Sequence, residues 1–283
     1  MVFLNRELVP RSQARISIDN VSFRHGEGLF ETLRGRGEQA FRSSSHLDRL
    51  SASAAVLRWR LPWSVAELQG ALRAALRANH LPESRVRLHA SPGAGPGSHG
   101  ASEPMLLVEV EPFVAVPDEV RRAGVALQLW PYRRSRRGGI LSQAKTASYL
   151  ENMLARRAAR EGGAHDALFV TDEGLVCETA CANVFAVLDG TICTPPLEDG
   201  VLAGVTRQVI LESGTMGARE QTLTLEDLHA AEEIFITSTG VEVLPVIALD
   251  GVRVGQGSPG PVARDVGLLY RQVLNDELPS VCG

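Results

Sequence analysis

Lysine is nearly absent from this sequence. Lys145 is the single lysine among 29 Lys and Arg side chains, and every other basic stem is arginine. The lone lysine is either a chance survivor or meets a need that arginine cannot. Arginine stays charged and is a poor nucleophile, whereas a desolvated lysine can lose its proton and form a Schiff base. Cysteine is scarce too. Cys177, Cys181, Cys193 and Cys282 suggest no disulfide framework, and Cys177 with Cys181 lacks the second ligand pair of a zinc site, so no metal is expected. Free thiols in a reducing cytoplasm are the expectation. No apolar run approaches the roughly 18 residues of a membrane span, and the first residues lack the charged start and apolar stretch of a signal peptide. No membrane association is therefore expected. A positive surplus is missing as well: the net charge is −4, and no basic face sits beside an aromatic platform, which argues against nucleic acid as a partner. The clusters Arg121-Arg122, Arg133 to Arg137 and Arg156-Arg157 read as solvated faces.

What is present is ordinary for a globular chain, with 44% hydrophobic and 22% charged residues. Its length allows one large domain or two smaller ones. Short strands are expected at 2–8 and 15–20. Gly26 and Gly28 precede an alternating segment to Arg34, which suggests a strand whose backbone lies close to something. Gly35 to Gly37 turns a hairpin. A helix from His46 carries Leu47, Leu50, Ala54 and Leu57 at helical spacing. Ser64 and Glu67 form a capping box for the next helix. Strands follow at 85–90 and 105–111. Between them, Ser91 to Gly100 is so rich in glycine and proline that it is either a lid near a site or a plain tip. After a strand at 125–130, charge and glycine cluster without periodicity. This places a linker at 132–139, between domains at 1–131 and 140–283. Tyr149 to Glu161 reads as a helix with Leu150, Met153, Leu154 and Ala158 inward. Strands then alternate with turns up to Thr194, and an amphipathic helix at 261–275 closes the chain.

Several polar groups fall at chain reversals. Glu178 ends a strand. Gly204, Val205 and Thr206 precede a helix, where amides and a hydroxyl could cradle a phosphate or could be a plain cap. Ser238 and Thr239 offer a second set of hydroxyls and amides, and Arg49 lies in an early helix turn where packing needs no charge. An imine-forming lysine, a carboxylate and two anion cups are the parts that pyridoxal 5′-phosphate requires. Glu178 could equally be a surface carboxylate.

The motifs from Gly26 to Arg34 and His46 to Leu50, Lys145 with Tyr149, Glu178 with Asn183, Thr194 to Pro196, Leu202 to Arg207, and Val243 to Val246 occur in order. Together they resemble the fold-type IV pyridoxal-phosphate enzymes, which include branched-chain and D-amino-acid aminotransferases and aminodeoxychorismate lyase. The resemblance implies an α/β (α+β) two-domain fold: a small α/β N-terminal domain and a larger domain with a β-barrel-like core, assembled as a homodimer. It implies that Lys145 is the Schiff-base lysine and proton shuttle, and Glu178 the partner of the pyridine nitrogen. Arg49, Val205, Thr206, Ser238 and Thr239 would bind the phosphate. Tyr149 would stand near the cofactor's 3-oxygen. Its position four residues after the lysine looks more like the D-amino-acid enzymes and lyases than the branched-chain enzymes. Thr32 matches a threonine that the lyases use near the substrate. His25 and Arg87 are the polar residues to look for in the substrate pocket, although Arg85 and Arg87 could both simply face solvent. The expected reaction moves an amino group between an amino acid, D-configured or branched, and a 2-oxo acid. The alternatives are the lyase reaction and, in a different class, a silent cofactor-binding scaffold.

Overall fold

The computed structural model describes residues 1–94, 103–134 and 139–279. Cys282, residues 95–102 of the glycine-rich stretch, and Arg136 and Arg137 lie outside the described residues. The chain divides into two units. The first comprises Met1–Val114, Ala144–Tyr149 and the residues from Leu274; the second comprises Ala115–Gln143 and Leu150–Val273.

Unit 1 is one antiparallel sheet with helices on one face. Its strands are β1 (Val2–Leu4), β2 (Glu7–Val9), β3 (Leu29–Arg36), β4 (Gln39–Ala40), β5 (Glu83–Ser91) and β6 (Met105–Pro112), in the order β2-β1-β6-β5-β3-β4. Its helices are α1 (Val21–His25), α2 (Ser43–Val56) and α3 (Val65–Asn79). The two-residue period of the strands sends Leu29, Leu33, Val86, Leu88, Leu106 and Val108 to one face, where they pack on Leu47 and Leu50 of α2 and Leu68, Leu72 and Leu76 of α3. Each such leucine, fully buried, contributes about 2 kcal/mol of transfer free energy. The capping box expected at Ser64 is formed: its hydroxyl accepts from the Glu67 N–H, and Glu67 reaches back to the Ser64 N–H. The strand expected at 15–20 does not form. The chain pairs β1 with β2 instead, turns through a 3-10 helix at Arg11–Gln13, and enters α1.

Unit 2 holds β7 (Val125–Leu129), β8 (Asp166–Val170), β9 (Val176–Thr179), β10 (Asn183–Leu188), β11 (Thr191–Thr194), β12 (Arg219–Glu220), β13 (Glu233–Ser238), β14 (Glu242–Leu249) and β15 (Val252–Arg253). They build a nine-stranded sheet in the order β12-β11-β10-β13-β14-β7-β8-β9, with β15 on β14. The expected barrel-like core is this curled sheet. Val184, Ala186, Ile234, Ile236, Leu244 and Val246 fill its interior, while Phe185 and Phe235 stack at 5.0 Å on the other face. Because β7 pairs in parallel with β14 and β8, the chain changes unit at 114–115, ahead of the linker expected at 132–139.

The unit's helices are α4 (Asp118–Ala123), α5 (Gly139–Ser142), α6 (Leu150–Glu161), α7 (Val205–Ser213), α8 (Leu225–Ala230) and α9 (Pro261–Glu277), whose residues from Leu274 count with unit 1. Two expectations are corrected here. On α6 the inward residues are Ala155 and Ala159, whereas Leu150, Met153 and Leu154 are 72%, 41% and 43% exposed and Ala158 is exposed too. The alanines let α6 lie close on β8, and the larger side chains take the outer face. Secondly, α7 begins at Val205, so Val205 and Thr206 form its first turn rather than preceding it.

Candidate active site

In unit 1, the segment carrying Lys145 is added to the start of β3. The Phe30 N–H donates to the Lys145 carbonyl at 3.0 Å, and the Ala147 N–H to the Gly28 carbonyl at 2.7 Å. Glycine makes the approach possible. A Cβ on Gly28 would lie 2.4 Å from the Ser22 hydroxyl, and one on Gly26, at φ +71°, 3.1 Å from that of Ser148. These are the close backbone contacts expected of the two glycines. From α2, the Ser53 hydroxyl accepts the Lys145 N–H at 3.1 Å. The half-buried Lys145 side chain lies against two rings: Nζ is 4.3 Å from the Phe30 centroid and 6.0 Å from that of Tyr149. Those rings meet edge to face at 5.4 Å. An apolar, quadrupolar wall around an amine both attracts its charged form and keeps water from it.

Arg49 of α2 is 11% exposed and paired with Glu31 of β3, which is wholly buried. Arg49 donates from Nε to Oε1 at 2.9 Å and from Nη2 to Oε2 at 2.5 Å. His46 Nδ1 lies 2.7 Å from the same Oε2. Burial opposes ionisation of Glu31, but the Arg49 charge and the donors of Arg49 and His46 outweigh it and hold the carboxyl at about 2. An ionised carboxylate only accepts, so Nδ1 carries the proton of that contact. Burial pushes the His46 imidazole below its usual range, with Glu31 opposing and the Arg49 and Lys145 charges reinforcing the shift.

The residues expected at the substrate are more dispersed. Thr32 on β3 and Arg87 on β5 are direct cross-strand partners, and Glu109 of β6 stands opposite Arg87 on its other side. Thr32 is half-buried and Arg87 exposed. They share the sheet face with Phe30 and His89, whose rings stack at 6.0 Å. His25 is exposed at the end of α1.

In unit 2, Glu178 is anchored from three sides. Its Oε2 accepts from the Leu202 N–H at 3.1 Å and from Asn183 Nδ2 at 3.3 Å, and Arg134 Nη1 is 3.8 Å from Oε1. Asn183 Nδ2 also donates to the Leu202 carbonyl at 2.9 Å, so the carboxylate is tied to the turn that opens α7. The N-cap there is Gly204, with no side-chain cap. A Cβ on Gly204 would fall 2.0 Å from Asn183 Oδ1. Val205 and Thr206 are 5% and 3% exposed. Their amides thus open a helix in a buried place with no capping side chain, an arrangement that suits an anion. α7 packs on β13, where Asn183 pairs with Thr237, and Ser238 and Thr239 follow at the strand's end. Each unit thus carries groups that suit pyridoxal phosphate: in unit 1 an amine against aromatic rings and a guanidinium, in unit 2 a held carboxylate and a buried helix start without a cap.

Sequence reasoning missed the supports. Phe30, Glu31, His46, Ser53, Asn183 and Arg134 hold the expected residues, and none was assigned a role. Arg134 had been grouped with a solvated cluster. Instead it sits 3.5 Å over the Phe169 ring and donates to Asn152 at 3.0 Å.

Comparison with known proteins agrees with this geometry. The profile of the family Amino-transferase class IV matches residues 28–249. The D-alanine aminotransferase of Bacillus licheniformis is 31% identical over 287 residues, covering 99% of each chain. Among solved structures, the branched-chain amino acid aminotransferase of Escherichia coli superposes with a TM-score of 0.89 at 27% identity, covering 100% of this chain and 97% of that one. A hypothetical aminotransferase from Mycobacterium tuberculosis, in a PLP-bound form, gives a TM-score of 0.86 at 28% identity, covering 98% of this chain and 99% of that one. A match across most of the chain places the protein in the class IV aminotransferases, enzymes of amino-group transfer on pyridoxal 5′-phosphate.

Proposed function

We propose that this enzyme transfers an amino group between a D-configured or branched-chain amino acid and a 2-oxo acid, with Lys145 as the only catalytic side chain that moves a proton. The observation that carries this reading is the placement of Lys145. The chain's one amine-bearing side chain stands against Phe30 and Tyr149, and its backbone is fixed by β3 and α2. When bound, pyridoxal phosphate supplies an aldehyde that condenses with amines and a ring that takes up the electrons released at the substrate's α-carbon. Lys145 Nζ takes the α-proton and returns it. The rings of Phe30 and Tyr149 keep water from the amine, and the Tyr149 hydroxyl serves the 3-oxygen. Glu178 keeps a proton on the ring nitrogen, its oxygens steadied by Asn183, Leu202 and Arg134. Arg49, the amides of Val205 and Thr206, the Thr206 hydroxyl, Ser238 and Thr239 hold the phosphate. Thr32, Arg87 and His25 meet the substrate, with Arg87 offering a fork to its carboxylate.

A homodimer is part of this proposal, supported by the outward apolar stripe of Leu150, Met153 and Leu154 on α6. A cytoplasmic setting is supported by Cys177 and Cys193, thiols that stand outside any disulfide. No helix of the described residues is long and apolar enough to cross a membrane.

The test is a half-reaction. The holoenzyme is mixed with single D- and L-amino acids, including D-alanine and L-leucine, and its absorbance is followed. Conversion of the cofactor band to the pyridoxamine form by a D- or branched-chain amino acid is expected. If none alters the spectrum while aminodeoxychorismate yields pyruvate, the enzyme is a lyase and the reading is wrong.

A further inference from the structure

Glu31 occupies a position that a hydrophobic residue would suit. It falls in phase with Leu29 and Leu33 on the inward face of β3 and is 0% exposed. Replacing a buried ion pair by well-packed apolar side chains is often neutral or stabilising, so fold stability alone does not account for a carboxylate here. What the carboxylate does, and an alkyl group cannot, is hold a guanidinium in one orientation. Its two oxygens take the Nε and Nη2 donors of Arg49, one edge of a five-donor fork. His46 Nδ1 then holds the same Oε2 at 2.7 Å, beside Arg49 Nη2. The same two elements hold the lysine. Ser53, four residues after Arg49 on α2, accepts the Lys145 N–H, and Phe30, next to Glu31 on β3, donates to the Lys145 carbonyl. The orientation of the fork and the backbone of the amine are therefore set by a single β3–α2 frame.

We propose that Glu31, backed by His46, is a positioning residue that presets Arg49 for the cofactor's phosphate. This rests on the reading above that Arg49 binds that phosphate. Two effects of Glu31 oppose each other. Its charge offsets that of Arg49, which weakens attraction for an anion, while its grip removes the rotamer freedom that Arg49 would otherwise lose on binding. The proposal is that the grip wins.

The experiment compares pyridoxal phosphate with pyridoxal, which lacks the phosphate, in equilibrium binding to the full-length protein freed of cofactor. Glu31→Gln keeps the shape, removes the charge and breaks the two-oxygen clamp. It should weaken pyridoxal phosphate about tenfold to a hundredfold, the loss expected of a broken charged hydrogen bond, and leave pyridoxal unchanged. Unchanged or tighter binding of pyridoxal phosphate overturns the proposal, because the charge would then outweigh the grip. Equal weakening of both ligands also overturns it, since the role would be merely structural. Arg49→Gln separates the underlying reading: if it leaves pyridoxal phosphate binding intact, the phosphate assignment itself has failed. If Arg49→Gln weakens binding and Glu31→Gln does not, only the positioning role has failed. Should Glu31→Gln not fold, His46→Leu decides on the same ratio, with a smaller selective loss expected and no selective loss contradicting the proposal.

Discussion

At the scale of single residues, the buried Glu31–His46 pair makes the fold acid-sensitive in a defined way. His46 is held below its ordinary value of 6.5, burial being the main cause, as are His89 and His165. The unfolded chain therefore binds protons that the folded chain refuses, and stability falls as pH drops from about 6.5. Glu31 adds a second loss, because its carboxyl is held at about 2 against an ordinary value of 4.5. That contribution is complete above pH 4.5 and disappears as pH falls toward 2. Thermal melts between pH 7.5 and 5 should show a shallower decline in His46→Gln than in the natural protein; identical slopes would remove His46 from this account. Residues whose chemistry is rare stand out in the sequence: Lys145 by being alone, and Glu178 at the close of a strand, one residue before β9 ends at Thr179. Their supports are non-local and were not legible. Glu31 touches residues 15 and 18 positions away, and Arg134 reaches Glu178 from what the sequence presents as one more arginine run. One signal was there to be used: the strand period puts Glu31 inward beside Leu29 and Leu33, and a charge on a buried phase asks for a partner.

At the scale of elements, local signals were read well and facing was not. The capping box expected of Ser64 with Glu67 is formed, and Thr224 with Asp227 forms a second, because a cap is decided within four residues. Gly214 stops α7 in a left-handed conformation. The stripe on α6 was found but assigned to the wrong side. Period alone shows that an apolar face exists, not what covers it. A stripe at positions 150, 153 and 154 that points outward suits a second copy of the chain. Leu154→Glu should then shift the enzyme from dimer to monomer in sedimentation, with its secondary structure unchanged. A natural protein that sediments as a monomer, or a variant that still sediments as the dimer, would contradict the stripe's assignment.

At the scale of the whole molecule, sheet order was the least legible feature. β7 pairs with β14, so that Val125 stands beside Val246. No local pattern announces such a pairing, which is why the linker was expected after β7 rather than before it. The α/β fold with its barrel-like core came from the resemblance, and the superposition on a solved branched-chain aminotransferase upholds it. The scarcity of lysine returns here as an experimental advantage. Borohydride reduction of the holoenzyme fixes the cofactor to whichever amine holds it, and apart from the amino terminus the chain has only one. The account predicts a single pyridoxyl-phosphate label, found by mass spectrometry on the peptide that carries Lys145. Absence of label there, or label on the Met1 amine alone, would contradict it.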